Sequence, residues 1–252
     1  MKKGKIRVLA LALALLCVCG TAACSSKEGE SSSSAGKTSS AGSAASSKQA
    51  NAKPSGELTQ ESLKSYPVTP ESQFETEDVS GGVSVTSCDS EDAVVVVPKT
   101  IKGKPVVEIG YGGMDNLSNC KGIALPDNVK TLGIGAFCND PKLEYVDLGK
   151  GLKEVNGSAF NGCCELRTVT FPEGITTLYG KGELIFAGCG KLKEVYVPAS
   201  VTKINDVFFH SQSPDAVIVT PAGSAADKWA RNETALAKNN PQEHGVVPVK
   251  NQ

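Results

Sequence analysis

The stretch Pro126-Asp-Asn-Val129-Lys-Thr-Leu132-Gly-Ile-Gly-Ala136-Phe137-Cys-Asn-Asp-Pro-Lys-Leu143-Glu-Tyr145-Val146-Asp147-Leu148-Gly149 decides the fold, because its order of residue types returns on both sides of it. With Ile109, Leu132, Val155, Leu178 and Ile204 as anchors, the spacings are 23, 23, 23 and 26 residues. Three residues before each anchor stand Val106, Val129, Leu152, Ile175 and Val201. Five after it come Met114, Phe137, Phe160 and Phe209, with Phe186 in the fourth coil once three inserted residues are allowed. Further columns hold Cys120, Leu143, Leu166, Leu192 and Asp215, then Ile123, Val146, Val169, Val195 and Ile218, then Leu125, Leu148, Phe171, Val197 and Thr220. These six columns carry 28 apolar residues in 30 places, where the 40% apolar background would give 12. Chance does not produce that.

The next column is Pro126, Gly149, Pro172, Pro198 and Pro221. A Pro there ends a short strand, since it has no N–H to give to a ladder. Each unit therefore reads as a strand such as Thr168–Phe171, a Pro turn, a second extended piece such as Ile175–Leu178, and a compact Ala-Phe turn. Alternation sends Val169 and Phe171 inward and Thr168 and Thr170 outward. One coil buries too little to offset the ordering of its own residues, so the coils must stack and share strand hydrogen bonds. Five coils at ~4.8 Å make a solenoid roughly 25 Å long.

Pro126-x-x-Val129-x-x-Leu132-Gly133-x-x-Ala136-Phe137 resembles the BspA-type (Treponema-type) bacterial leucine-rich repeat, as does Val155-x-x-x-Ala159-Phe160-x-x-Cys163-x-x-Leu166-x-x-Val169. Val94 to Val106, with Pro98, Ile101 and Gly103-Lys104-Pro105, resembles the unit that opens such arrays. The resemblance covers about residues 82–221. It implies an exported, curved, non-enzymatic surface protein with a role in adhesion or ligand binding. Met114 in place of Phe and Asp215 in place of Leu depart from the pattern in the terminal coils.

Outside the repeats the chain is uneven. A basic start, Met1 to Arg7, precedes the apolar run Val8–Val18, which is too short to span a membrane and suits an export signal. Gly20-Thr21-Ala22-Ala23-Cys24 resembles a lipobox, with Thr21 where the pattern prefers Leu; lipidation would make Cys24 the first residue. Two acyl chains would anchor it stably. The alternative is ordinary cleavage near Ala23, giving a secreted chain. From Ser25 to Lys48, 11 of 24 residues are Ser, a composition that cannot offset its ordering entropy. Leu58 to Lys64 suits at most a brief helix, with Pro67 and Pro70 beyond it. At the other end, Ala222 to Asn239 places Ala226, Trp229 and Leu236 at helical spacing, as a helix capping the last coil; a sugar-stacking role for Trp229 is the functional alternative. Val246 to Val249 suits a final strand. The expected organisation is a lipoprotein signal peptide at 1–23, a flexible tether at 24–75, the repeat domain at 76–221 and a cap at 222–252.

Composition narrows the chemistry. The chain has 26 basic and 27 acidic residues, and loss of Lys2, Lys3, Lys5 and Arg7 leaves 22 against 27, a charge of about −5. Nucleic-acid binding through charge is therefore not expected. His210 and His244 adjoin no nucleophile motif, and no phosphate-binding, hydrolase or zinc-protease motif occurs. No catalytic residue, metal site or cofactor is expected. Asp89, Glu91 and Asp92 read as a solvated acidic loop or a cation site, and Asn156-Gly-Ser158 matches a glycan acceptor only formally. Of the mature cysteines besides Cys24, Cys163 and Cys189 share a column and Cys120 fills the Leu column, so core thiols are expected, with Cys138 and Cys164 the more exposed. An even six also admits disulfides.

What remains is surface. The outward strand columns are Gly122, Tyr145, Thr168, Glu194 and Val217, and Ala124, Asp147, Thr170, Tyr196 and Val219. A continuous sheet face is the usual docking surface of a solenoid, and Tyr145, Asp147, Thr170, Glu194 and Tyr196 are its candidate contacts. The insertion Tyr179 to Glu183 is a second candidate. The expectation is a monomeric, lipid-anchored cell-surface binder of a protein or glycan, the alternative being a structural or accessory subunit of an envelope complex.

Overall fold

Three residues of alternating polarity, closed by a Pro or Gly, make a strand short enough to repeat once per coil. The computed structural model describes residues 57–179, 184–204, 215–239 and 247–252. The expected export signal, Cys24, the Ser-rich segment to residue 56, the insertion at 180–183, Phe209, His210, His244 and Val246 lie outside the described residues.

The array opens with a hairpin, β1 (Phe74–Val79) and β2 (Gly82–Cys88). A first coil follows with β3 (Val94–Val96), β4 (Thr100–Ile101) and β5 (Lys104–Ile109). Then come strand pairs: β6 (Gly122–Ala124) with β7 (Thr131–Leu132), β8 (Tyr145–Asp147) with β9 (Glu154–Asn156), β10 (Thr168–Thr170) with β11 (Thr177–Tyr179), and β12 (Glu194–Tyr196) with β13 (Lys203–Ile204). The chain closes with β14 (Val217–Thr220), helix α1 (Ala225–Ala237) and β15 (Val249–Asn251).

Every strand pairing between coils is parallel. One ladder runs β2–β5–β7–β9–β11–β13, with β1 antiparallel on its edge. The other is in two pieces, β3–β6–β8 and β10–β12–β14–β15. A third line of main-chain bonds joins the Ala-Phe turns: Phe137 N–H donates to Ala159 O at 2.8 Å, and Phe160 N–H to Ile185 O at 2.9 Å. The molecule is thus the leucine-rich repeat solenoid of about five coils read from the 23-residue period.

The apolar columns form its core. Every described apolar member is buried except Ile204, which is half-buried, while Asp215 is exposed and pairs with Lys193 at 2.8 Å. The Phe column stacks: Phe160 lies 5.2 Å from Phe186 with the planes 9° apart, and 5.2 Å from Phe137 on its other side. Such ring pairs add to the burial they accompany. Gly149 breaks the Pro column for a visible reason. It adopts φ +65°, which Pro cannot, and its N–H donates to Asp147 Oδ1 at 2.9 Å.

One interior column departs from hydrophobic chemistry. Cys163 and Cys189 donate their thiols to the carbonyls of Phe137 and Phe160 one coil back, each at 3.1 Å. One coil earlier the position belongs to Asp140, and before that to Leu117. Asp140 Oδ1 accepts the Leu117 N–H at 2.6 Å, while Oδ2 meets no partner among the described residues. Burial pushes this carboxyl up to about 8, the Leu117 hydrogen bond opposing it only in part.

The structure changes three expectations. The tether expected over 24–75 is not a tether over 57–75: Leu63 is buried, Leu58 and Tyr66 are half-buried, and β1 begins at Phe74. These residues carry the apolar surface that the Ser-rich segment lacks. The final strand is Val249–Asn251 rather than Val246 to Val249; Val247 is buried instead, and Pro248 offers its carbonyl to Ile218 N–H at 2.9 Å. Cys138 is buried, since the turn that carries it packs between neighbouring coils.

The C-terminal helix caps the last coil. Ala226 and Ala230 are fully buried, and Trp229 lies half-buried against the core. Its start is fixed by Ser224 Oγ accepting from Asp227 N–H at 3.0 Å and Asp227 Oδ2 accepting from Gly223 N–H at 2.9 Å. Among the described residues no helix is long and apolar enough to cross a membrane.

Candidate functional site

The outward sheet face divides into a covered part and an open part. Over β3, β6 and β8 lies a strap, residues 57–73. Leu63 packs with Val94, Val96 and Ala124, flanked by Leu58, Tyr66 and Tyr145. It sits directly on Gly122, where an added Cβ would fall inside contact distance of Leu63 Cδ2. Lys64 Nζ reaches Asp147 at 3.0 Å and Asp127 at 3.7 Å. A hydrogen bond from Lys150 N–H, helped by Lys64, holds the Asp127 carboxyl below its ordinary range. Further along, Thr69 covers the outer edge of β3, donating its N–H to Val96 O and accepting from Val96 N–H at Oγ1, both at 3.0 Å.

The open part is carried by β10, β12, β14 and β15. Register places Thr168, Glu194 and Val217 in one row, and Thr170, Tyr196, Val219 and Lys250 in the next, with Val219 alone among them buried. Tyr196 Oη donates to Glu194 Oε2 at 2.7 Å, and Lys250 Nζ lies 3.5 Å from Glu194 Oε1. The Tyr196 hydroxyl, with Lys250 behind it, holds Glu194 below the usual carboxylate range, and the same bond pushes the phenol up. The ring is therefore fixed on the sheet at low entropic cost to a partner.

Of the five candidate contacts, Thr170, Glu194 and Tyr196 share this patch, while Tyr145 and Asp147 lie against the strap. Sequence reasoning missed Leu63 and Lys64. The signal available was the pair Gly122 and Ala124, two small residues at outward positions that a solvated sheet face does not require. Tyr179, the described start of the coil-four insertion, is exposed.

Among the described residues no cluster of His, Cys, Asp and Glu could hold a metal ion. The six described cysteines form no disulfide, and all but the half-buried Cys164 are buried. Burial pushes the Cys88 thiol up to about 11 and that of Cys120 to about 12, so neither is a nucleophile near neutrality.

Comparison with known proteins agrees with the geometry. Residues 99–215 match the family described as BspA type leucine rich repeat region, in six copies. The leucine-rich repeat protein TpLRR of T. pallidum is 28% identical and superposes with a TM-score of 0.57, over 61% of this chain and 71% of its own. A leucine rich cell surface protein of Faecalibacterium prausnitzii A2-165 is also 28% identical, with a TM-score of 0.51 over 61% of this chain and 39% of its own. The chain therefore spans about two fifths of that protein's length. No curated protein matches the sequence. With its 23-residue coils, stacked Phe column and parallel ladders, the stretch 99–215 of this chain is similar to the BspA-type leucine-rich repeat region.

Proposed function

We propose that the chain is a non-enzymatic interaction module of a bacterial cell surface. Its docking patch is the open sheet face at Thr170, Glu194 and Tyr196. The observation that carries this reading is the Tyr196–Glu194 hydrogen bond of 2.7 Å on a parallel ladder where Thr170 is exposed and Glu194 and Tyr196 are half-buried. It presents a rigid aromatic contact with charged neighbours, suited to a protein or glycan ligand. The relative described as a leucine rich cell surface protein supports the placement outside the cell. Lipidation at Cys24 would hold the module at the membrane, and the Ser-rich segment would carry it outward.

Two experiments test the proposal. Ligands captured from envelope and host extracts by the wild-type chain are expected to be lost from a Glu194→Ala/Tyr196→Ala double variant; if the double variant retains all of them, the patch is wrong. Cys24→Ser is expected to shift the protein from the membrane fraction to the medium. Unchanged retention would remove the anchor from the proposal.

A further inference from the structure

The strap is held in two different ways. From Thr69 onward its backbone is tied in, through the Thr69–Val96 pair and through Glu71 Oε2, which accepts from Lys102 N–H at 2.9 Å. Residues 57–68 make no main-chain hydrogen bond to the coils among the described residues. They close a turn on themselves instead: Thr59 N–H donates to Ser62 Oγ at 3.0 Å, and Ser62 N–H to Thr59 Oγ1 at 3.3 Å. Only side chains dock this turn, with Leu63 in the notch above Gly122 and Lys64 between Asp127 and Asp147. Pro67 and the exposed Val68 separate it from the fixed part.

The surface beneath is made for an occupant. Thr168, Thr170, Glu194 and Tyr196, with Val217 and Val219 beside them, line the open face, whereas Val94, Val96, Gly122 and Ala124, with Tyr145 and Asp147 beside them, line the covered one. A solvated sheet face carries polar residues at its outward positions, and β3 and β6 carry none. Gly122 has no positive φ to explain it; the Leu63 side chain fills the space a Cβ would take. A leucine-sized notch with two carboxylates beside it reads Leu followed by Lys.

We infer that the bed over β3, β6 and β8 is a docking groove for a short turn of a partner protein bearing Leu followed by Lys. Residues 57–68 occupy it as an internal stand-in that such a partner displaces. The linked turn competes at an effective concentration on the order of mM. A partner therefore binds more weakly in proportion to the closed fraction, and opening mutations remove that penalty. The groove is separate from the patch at Thr170, Glu194 and Tyr196, so either can fail alone.

The probe is a fluorescein-labelled synthetic peptide of residues 57–70, added to the full chain. Leu63→Ala empties the notch, and Lys64→Glu weakens the strap while leaving every buried residue in place. The peptide is expected to bind both variants at least tenfold more tightly than the wild type, and to lose that gain when Gly122→Ala is added. In the wild type, saturating peptide is expected to speed amide exchange in 57–66 while β6 and β8 stay protected. A peptide on an unrelated background, keeping only Leu58, Leu63, Lys64 and Tyr66, is expected to do the same. If Lys64→Glu binds no more tightly than the wild type, or 57–66 does not open under saturating peptide, the groove has no external partner and the inference falls.

Discussion

Gly122 and Leu63 form one contact from two parts of the chain that no repeat relates: the leucine fills the space where every other residue would carry a Cβ. Gly122→Ala is expected to push Leu63 outward. Burial of that side chain contributes about 2 kcal/mol, all of it to the strap. Amide exchange in 57–66 should therefore accelerate while the melting temperature of the coils changes little. Exchange unchanged from wild type would show that the leucine adapts in place.

The Phe column carries the array. Phe160 is fully buried between Phe137 and Phe186, so Phe160→Ala removes a ring that two coils share. A loss of about 3–5 kcal/mol is expected from urea unfolding. Phe160→Leu, which refills most of the volume, should recover a large part of it.

Asp140 makes stability depend on pH in the direction opposite to a salt-bridged carboxylate. Its folded value is about 8, against 3.8 for the ordinary group. Below about pH 4 the group is neutral in both states and costs nothing. Between 4 and 8 the unfolded chain ionises while the folded one does not, so stability falls by up to ~1.4 kcal/mol per pH unit. Above 8 the loss is complete. Asp140→Asn keeps an acceptor for Leu117 N–H and removes the titration. Its urea midpoint should exceed the wild type's at pH 8, with a flatter profile from pH 4 to 8; parallel profiles would place the ionisation elsewhere.

On the open face, Tyr196→Phe deletes the donor that does most to lower Glu194. The Glu194 carboxyl should then titrate at higher pH, closer to the ordinary value and still influenced by Lys250. A carbon-detected NMR titration reads this directly.

Thiol accessibility separates the cysteines. Cys164 is half-buried, whereas Cys88, Cys120, Cys138, Cys163 and Cys189 are buried. Among the six described cysteines, iodoacetamide on the native protein should label Cys164 first, and mass mapping should find the other five modified only on unfolding. Early labelling of Cys138 would contradict the packing of its turn.

The parts of this molecule that were legible in its sequence are those it writes more than once. Phe137, Phe160 and Phe186 announce a buried column because they recur in register, even across the coil-four insertion. Leu63 occurs once, in a polar segment, and its partner is a glycine, which leaves no hydrophobic mark to match. Asp147 looked like a surface contact because its column faces outward; only the docked Lys64 reveals that this part of the face is covered. Cys138 follows an inward Phe, and alternation sends it out, but the main-chain bonds linking successive turns bury it. Thr170, Glu194 and Tyr196 were legible because the strand period alone sets their direction, although the Tyr196–Glu194 bond depends on rotamers that no spacing encodes.

The divided attachment of the strap also sets how the molecule would respond to load. A pull on the chain upstream of residue 57 meets side-chain contacts first, Leu58 and then Leu63, which release one by one. The twelve residues of 57–68 then extend by up to ~3.5 Å each, roughly 40 Å of slack. Only after that does force reach the Thr69–Val96 pair. A protein held by its N-terminus and gripped through its distal coils would thus lengthen before any coil is disturbed, and would recoil when released.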